Sequence, residues 1–213
     1  MKEKEIEVGC TRGKAPKSFM SLQELTISGL LAGITIFLGI TGYGFIPLFY
    51  MHATILHIPT IIGAIVAGPK VGMVVGFLFG AFSFIRTFQA PSWMMQIVLQ
   101  YSVVYDAIIC IIPRMCIALI AYYAYKKIPA GHTVRLVISS VLGSISNSVL
   151  FLGLIFLLVG IPYAADHDIT VFQVAMALVA VAGTNSILEA VVSGVVITSV
   201  VLMLQRSGWK LKK

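Results

Sequence analysis

The chain has 213 residues, of which 59% are hydrophobic and 11% are charged, and its mean hydropathy is +0.99. A soluble domain needs a polar surface, so this composition excludes an ordinary soluble protein and indicates one that crosses a membrane several times. The formal net charge of +7 is spread between apolar runs instead of gathering on one face. This distribution indicates that the basic residues meet the lipid bilayer and not nucleic acid.

Six apolar segments are predicted to cross the membrane as helices, because about 20 apolar residues in a helix span the hydrocarbon core. In chain order they run from about Leu22 to Ile40, Ala53 to Ala67, Lys70 to Phe88, Gln96 to Tyr125, Val134 to Gly160 and Val171 to Gln205. The prediction is an all-α polytopic membrane protein with one six-helix membrane domain at residues 22–205. A polar N-terminal tail at 1–21 and a basic C-terminal tail at 206–213 flank this domain.

The positions of Lys and Arg predict the side of the membrane on which each loop lies. The basic residues on the side of the N-terminus are Lys2, Lys4, Arg12, Lys14, Lys17, Lys70, Lys126, Lys127, Arg135, Arg206, Lys210, Lys212 and Lys213. The opposite side holds Arg86, in the loop predicted after the third segment, together with Asp166 and Asp168. Since cytoplasmic loops are enriched in Lys and Arg, both termini are predicted to be cytoplasmic.

The stretch at residues 43–80 is the one around which the other segments are predicted to be arranged. An irregular segment with Gly44 and Pro47 precedes an apolar run, which Gly68–Lys70 interrupts once. This pattern predicts two membrane helices joined by a very tight turn, with a loop against one mouth of the bundle. We expect the loop to cover a small-molecule site.

Small residues recur at four-residue spacing in two of the segments. The first segment holds Gly29 and Gly33, and the third holds Gly72, Gly76 and Gly80. Residues at this spacing share one face of a helix, and glycine there allows another helix to approach closely. Each face therefore predicts a helix contact, either within the chain or with another protein.

Arg114 is predicted near the middle of the membrane, in the fourth segment directly after Pro113. A charge at that depth costs several kcal/mol unless it is paired or hydrated. A guanidinium suits a substrate carboxylate, which it can hold with two parallel hydrogen bonds, and we favour this role. The alternative is a structural ion pair with Asp106 or Glu189.

Asn147 and Asn185 are predicted at a similar depth in the fifth and sixth segments. A side-chain amide both donates and accepts hydrogen bonds, so each residue is a candidate ligand contact and equally a candidate contact between helices. Glu189 lies one turn from Asn185 on the same face. Glu189 could hold a proton or cation, or it could neutralise Arg114, and we favour a structural role.

Tyr43, Phe45 and Phe49 are candidates for an apolar lid over the site, although aromatic residues at a membrane surface are often interfacial anchors. His57 is predicted to line the site or to lie at the interface. Because His52 and His57 do not share a helix face and no carboxylate stands near them in the sequence, no metal site is predicted.

Catalytic motifs are absent from the sequence, which has no Walker P-loop, no HExxH and no GxSxG. We therefore predict no catalytic residues. An intramembrane enzyme assembled from Arg114, Asp106, Glu189 and the histidines remains a rival interpretation, but no pair of these residues has motif spacing.

The sequence resembles the substrate-binding S component of an energy-coupling factor (ECF) vitamin transporter, most of all the pantothenate-type branch. The carrying segments are HIPTIIGAIVAGPKVGMVVGFLFG at 57–80, Pro113-Arg114, and SISNS at 144–148. GLLAG at 29–33 occupies the place of the family's Ala-xxx-Ala docking motif, with glycine instead of both alanines. The resemblance covers the chain from the first to the sixth segment.

The resemblance implies a binding protein and not an enzyme. Such a protein binds a vitamin at its extracellular side, beneath a loop between the first two segments, and joins a membrane scaffold subunit and two cytoplasmic ATPase subunits. It is expected to topple in the bacterial cell membrane and so deliver the vitamin inside. The partner subunits use ATP, and no cofactor is expected in this chain. Gly29 and Gly33 would face the scaffold.

Pantothenate matches the polar residues of the sequence. Its carboxylate suits Arg114, its amide and hydroxyls suit Asn147 and its neighbours, and its dimethyl centre suits an apolar lid. Another anionic vitamin such as folate is the alternative. Folate would need a larger slot rich in aromatic residues, and the sequence shows no clear aromatic cluster near Arg114.

Overall fold

The computed structural model describes residues 22–48 and 51–207, which form a helical bundle with one small hairpin. In chain order the elements are α1 (Leu22–Thr41), β1 (Phe45–Leu48), β2 (Met51–Thr54), α2 (His57–Ala67), α3 (Pro69–Gln89), α4 (Trp93–Tyr101), α5 (Val103–Lys127), α6 (His132–Ile155), a π-helical turn (Phe156–Gly160), α7 (Ile161–Asp166) and α8 (Val171–Arg206). The helical architecture was predicted, and the hairpin was not. Most of the two predicted tails, at 1–21 and 208–213, lies outside the described residues.

Five helical segments of the described chain are long and apolar enough to cross a membrane. They are Glu24–Thr41, Pro69–Gln89, Val103–Lys127, His132–Asp166 and Val171–Arg206. The remaining predicted span corresponds to α2, which has 11 residues, all of them buried. It begins at His57 and not at Ala53, as the sequence predicted. Because protein surrounds α2, its length need not match the lipid. The count of six spans and the cytoplasmic side of the termini stay predictions.

The stretch predicted as an irregular loop forms an antiparallel hairpin between α1 and α2. Its register places Phe45 opposite Thr54. The N–H of Gly44 donates to the carbonyl oxygen of Leu38 at 3.1 Å, which ties the start of the hairpin to the last turns of α1. Pairing of the two strands satisfies backbone groups that would otherwise lack partners in a nonpolar environment.

The tight turn predicted before Pro69 is confirmed, since Gly68 alone separates α2 from α3. Gly68 has φ 100° and ψ 173°, a backbone conformation that side chains rarely allow and that glycine adopts without a Cβ clash. Pro69 follows as the first residue of α3, where its missing N–H breaks no helical hydrogen bond. The short connection places α2 and α3 side by side.

The glycine face of α3 packs within the chain, mainly against α5. A Cβ atom added at Gly76 would lie 2.5 Å from the carbonyl oxygen of Arg114, and one added at Gly80 would lie 2.8 Å from the Cα of Ile111. Both distances are too short for a real carbon atom. These glycines therefore set how closely α5, which carries Arg114, approaches α3.

The single helix predicted from Gln96 to Tyr125 is wrong, because the chain breaks at Ser102 into α4 and α5. Ser102 has extended backbone, and its Oγ accepts a hydrogen bond from the N–H of Val104 at 3.1 Å. This side-chain cap replaces a helical partner that the first turn of α5 lacks. Apolar residues flank Ser102 on both sides, so the break leaves no mark on the hydropathy.

The loop predicted to hold Arg86, Gln89 and Trp93 is shorter than expected. Arg86 and Gln89 lie in the last turn of α3, and Trp93 is the first residue of α4. Arg86 thus projects from a helix and not from a flexible connection. The position of Arg86 on α3 bears on the candidate site, because Arg86 lines its cavity.

The fifth predicted span is shorter than the helical segment in the structure, and the sixth agrees with it. Where the fifth was expected to end at Gly160, the helical chain continues from α6 through the π-helical turn and α7 to Asp166. The sixth, predicted from Val171 to Gln205, coincides with α8 to within one residue. Thr170 caps α8, and its Oγ1 accepts a hydrogen bond from the N–H of Gln173 at 3.3 Å.

Candidate ligand-binding site

Polar side chains from several helices and from the hairpin surround a cavity at the end of the bundle where α3 joins α4. The polar residues that line it include Thr54, Arg86, Arg114, Asn147, Ser148 and Glu189. We call it the Arg114 cavity. Convergent polar groups in a concavity are typical of a small-molecule site.

Pro113 and Arg114 act together at the wall of this cavity. Arg114 is 3% exposed, and its Nη1 donates to the carbonyl oxygen of Ile109 at 3.0 Å. In an unbroken helix the N–H of position 113 would donate to that oxygen, but proline has no N–H. The proline therefore frees the carbonyl group that the arginine uses. The Nη2 of Arg114 donates to Oγ of Ser83 at 3.4 Å.

Two aromatic rings hold the guanidinium of Arg114 in place. Its Cζ lies 4.4 Å from the ring centroid of Phe151 and 5.3 Å from that of Phe79. Cation–π contacts of this kind stabilise a desolvated guanidinium by about 2 kcal/mol. In the part of the chain that the structure describes, its hydrogen bonds go to Ile109 and Ser83 and not to Asp106 or Glu189. The structural ion pair considered from the sequence is not formed.

The Nε of Arg114 is buried without a hydrogen-bond partner among the described residues. A buried donor in this state carries a desolvation penalty, typically about 1–3 kcal/mol. Nε and one terminal nitrogen of a guanidinium form the fork that binds a carboxylate with two parallel hydrogen bonds. The unsatisfied donor thus marks Arg114 as the group able to hold an anionic ligand.

Glu189 lines the same cavity from α8 and is 7% exposed. Its Oε1 accepts a hydrogen bond from the backbone N–H of Thr54 at 2.8 Å. Thr54 is the last residue of β2 and itself lines the cavity. The carboxyl group of Glu189 therefore fixes the end of the hairpin against α8.

His57 lies behind the cavity and not in its lining. It is 1% exposed, and its Nε2 is 2.5 Å from Oγ of Ser193. That hydroxyl donates to the carbonyl oxygen of Glu189 at 2.6 Å, so its single hydrogen is already used. The Nε2 of His57 must then be the donor to Ser193. His57 thus braces the turn of α8 that carries Glu189.

Asn147 projects from α6 into the cavity lining and is 5% exposed. Its Oδ1 is buried without a hydrogen-bond partner among the described residues. Ser148, the next residue along α6, also lines the cavity. The structure thus brings Asn147 and Arg114 to the lining of one cavity, and their role as ligand contacts stays a prediction.

Arg86 is a cavity residue that sequence reasoning missed. It was predicted in a connecting loop and used only to orient the chain, whereas the structure places its half-buried side chain in the cavity lining. Its guanidinium also lies against Gly42 at the end of α1, where an added Cβ would be 3.2 Å from Nη2. The available signal was helical spacing, since Ser83 and Arg86 fall on one face of α3.

Of the three predicted lid residues, Tyr43 is the one whose side chain the structure describes. Tyr43 is 76% exposed and lies outside the cavity lining. Phe45 lies in β1, but its side chain is outside the described part of the structure, as is that of Asn185 in α8. Phe49 falls between the described ranges. The roles assigned to these four residues stay predictions.

Gly29 and Gly33 lie on the outer surface of α1. A Cβ atom added at either position would meet nothing within 4 Å. The glycine pair therefore makes no close contact within the described chain, in contrast to the glycine face of α3. Its predicted use as a docking surface for another protein is not tested by these contacts and stays a prediction.

A membrane helical bundle that encloses a polar cavity for a small ligand is the class defined by this fold and site. The family described as ECF transporter, substrate-specific component, matches residues 23–201. The chain belongs to this family, and it is a multi-pass protein of the bacterial cell membrane.

Among individual proteins, the chain is similar to the pantothenic acid transporter PanT of Lactococcus lactis subsp. cremoris (strain MG1363). The two are 26% identical over 167 residues, which cover 75% of this chain and 81% of the relative. The predicted resemblance to an ECF S component, most like the pantothenate-type branch, is confirmed.

Proposed function

We propose that this protein is the pantothenate-binding component of an ECF-type importer. The buried Nε of Arg114, unpartnered at the wall of the cavity, is the observation that carries the proposal. This N–H donor needs a hydrogen-bond acceptor on the ligand, and a carboxylate is the best acceptor for a guanidinium. Similarity to PanT, whose name states that it transports pantothenic acid, favours pantothenate among the vitamins that carry a carboxylate.

The other polar groups of the cavity fit the rest of pantothenate. The carboxylate lies on Arg114, and the amide N–H of the ligand donates to Oδ1 of Asn147. Ser148 also lines the cavity and supplies a further hydroxyl group. Phe151 lines the cavity and offers an apolar surface to the dimethyl centre.

The remaining parts of the proposal concern transport. The chain crosses the membrane with both termini in the cytoplasm, so the Arg114 cavity opens to the outside. It carries no catalytic group and no cofactor, and it returns the vitamin chemically unchanged. A membrane scaffold subunit and two ATPase subunits join it and use ATP, and toppling of the whole chain turns the cavity inward.

The first test is calorimetric titration of the purified full chain in detergent with pantothenate, with folate and thiamine as controls. Tight one-to-one binding of pantothenate is expected. Arg114→Ala removes a charged, bidentate contact, so the dissociation constant should rise by about 100-fold or more. Well-folded wild-type protein that fails to bind pantothenate would overturn the proposed substrate.

Arg135→Ala is the matched control for this variant. Arg135 also stacks on an aromatic ring, with Cζ 4.5 Å from the centroid of Tyr125, and its Nε is also buried without a partner. It lies in the first turn of α6, away from the Arg114 cavity. Pantothenate affinity should be unchanged in Arg135→Ala. An equal loss in both variants would show that Arg114 acts through stability and not as the anchor.

A further inference from the structure

We infer that Glu189 is a second ligand contact, whose carboxyl group accepts a hydrogen bond from a hydroxyl group of the ligand, at the end opposite the carboxylate. The cavity would then select molecules that carry an acid at one end and hydrogen-bond donors at the other. This inference rests on the proposed function, because it assumes that the carboxylate of the ligand lies on Arg114. The sequence alone had favoured a structural role for Glu189.

The first observation is that Arg114 and Glu189 line one cavity without contacting each other. Both are more than nine-tenths buried, at 3% and 7% exposure. Opposite charges inside a protein are normally paired directly, because an unpaired buried charge is strongly destabilising. Here a guanidinium and a carboxyl group lie in the same cavity lining with no hydrogen bond between them. A ligand with complementary ends would connect them.

The second observation is that hydrogen bonds hold Glu189 in position. Oε1 is held by the backbone N–H of Thr54, and the next turn of α8 is braced by Ser193 and His57. The hydrogen bond from Thr54 engages Oε1, and the carboxyl group of this lining residue has a second oxygen that can accept from a ligand. An acceptor that is held in position before binding selects donors at low entropic cost.

The third observation is the distribution of donors and acceptors in the lining. Arg114 supplies donors, whereas the unpartnered Oδ1 of Asn147 and the carboxyl group of Glu189 supply acceptors. A second carboxylate on the ligand would meet Glu189 and be repelled. Hydroxyl groups and amide N–H groups suit both acceptors. Dicarboxylic acids are therefore excluded, and a hydroxylated monocarboxylate amide is favoured.

The test compares two ligands on two proteins by calorimetric titration of the full chain in detergent. One ligand is pantothenate, and the other is N-(3,3-dimethylbutanoyl)-β-alanine, which lacks both hydroxyl groups and keeps the carboxylate, the amide and the branched carbon. Glu189→Gln keeps the size of the side chain and an oxygen that can accept from Thr54. It should weaken pantothenate binding about tenfold or more and change binding of the hydroxyl-free analogue by no more than about twofold.

Asp106→Asn is the matched control, since Asp106 is a fully buried carboxyl residue of α5 that does not line the cavity. The Asp106→Asn variant should bind both ligands with the affinities of the wild type. Glu189→Ala, checked for thermal unfolding, repeats the comparison without any polar group at the position. Glu189→Ala should show the same selective loss of affinity for the hydroxylated ligand.

The outcomes separate the two proposals. If wild-type protein binds pantothenate but Glu189→Gln weakens both ligands equally, Glu189 only holds the hairpin, and the proposed function stands without this inference. Unchanged binding of pantothenate in Glu189→Gln overturns the inference in the same way. If folded wild-type protein binds no pantothenate at all, the proposed function fails and the ligand contact fails with it.

Discussion

At the scale of single residues, the Arg114 cavity shows how a charged group is kept inside a membrane protein. Pro113 exposes the carbonyl oxygen of Ile109, Arg114 donates to it, and two phenylalanine rings cover the guanidinium. These contacts stabilise the charge and fix its direction, but they leave Nε without a partner. A fixed charge with one unsatisfied donor is preorganised for an anion, because little side-chain freedom is lost on binding.

Phe151→Leu tests the aromatic contribution to this arrangement. The ring of Phe151 lies 4.4 Å from Cζ of Arg114 and also lines the cavity. Leucine keeps most of the apolar volume but removes the cation–π contact, which contributes roughly 0.5–2 kcal/mol. We expect the dissociation constant for pantothenate to rise by about threefold to thirtyfold in calorimetric titration.

The control for this change is Phe88→Leu. Phe88 lies on α3 near the cavity end of the bundle, but it is 54% exposed and outside the lining. Its replacement should leave pantothenate affinity unchanged. Identical affinities for the wild type and Phe151→Leu would contradict the idea that the ring positions the guanidinium.

At the scale of elements, the position of the site depends on how closely α3 and α5 pack. The glycine face of α3 removes the side chains that would keep α5 at the usual distance, and α2, wholly buried, fills the space beside them. Arg114 and Ser83 come from the two helices of this contact and meet at 3.4 Å. A small change in the spacing of the helices would therefore displace the anchor of the ligand.

Gly76→Ala should disturb this contact directly. The added Cβ would lie 2.5 Å from the carbonyl oxygen of Arg114, which is backbone and cannot rotate away. Overpacking of this kind destabilises a protein by about 1–3 kcal/mol, more than alanine gains in helix propensity. We expect a lower thermal unfolding temperature in detergent and weaker pantothenate binding, because α5 must move outward.

Gly153→Ala is the corresponding control on α6, where an added Cβ meets nothing within 4 Å. Alanine there should leave the unfolding temperature unchanged or raise it, since glycine is the poorer helix former. Unfolding of Gly76→Ala at the same temperature as Gly153→Ala would show that α3 and α5 can separate without cost.

The same elements show what the sequence could and could not predict. Long apolar runs and the turn at Gly68 predicted α1, α3 and α8 closely, because length and hydropathy decide such helices. Hydropathy did not show the hairpin or the break at Ser102, since both lie in apolar surroundings and depend on local backbone hydrogen bonds.

The site was predicted only in part, for a different physical reason. Arg114 and Asn147 stand out as polar residues within apolar helices, and the structure brings both to the cavity. Arg86 does not stand out, because arginine is ordinary near the end of a membrane helix. The hydrogen bond from Thr54 to Glu189 joins residues 135 positions apart, and no periodicity within one segment contains that information.

At the scale of the whole molecule, the proposed binding site and the proposed docking surface lie on different parts of the chain. The Arg114 cavity lies among α3, α5, α6 and α8, whereas Gly29 and Gly33 face outward from α1. Large apolar side chains on α1, such as Leu30 at 66% and Phe37 at 62% exposure, surround the glycine pair. A smooth strip of glycine on an apolar helix allows a second membrane helix to approach closely. The proposed scaffold subunit would dock on this strip without contacting the vitamin.

Gly33→Leu should therefore separate binding from transport. Because a Cβ atom added at position 33 meets nothing within 4 Å among the described residues, pantothenate affinity of the purified variant should stay within about twofold of the wild type. A leucine on the strip would hold a partner helix away, so uptake of labelled pantothenate by cells that contain the scaffold and ATPase subunits should fall at least about tenfold. Copurification with the scaffold subunit should fall in parallel.

Gly153→Leu provides the control, since it also adds a leucine to an open position but on α6. It should leave affinity, uptake and copurification unchanged. If cells with Gly33→Leu took up pantothenate as the wild type does, the docking surface would lie elsewhere on the chain. The Arg114 cavity would still be the proposed binding site. Loss of affinity in purified Gly33→Leu would instead mean that α1 and the hairpin that follows it control access to the cavity. The two functions would then share one element, and α1 would transmit the state of the cavity to the partner.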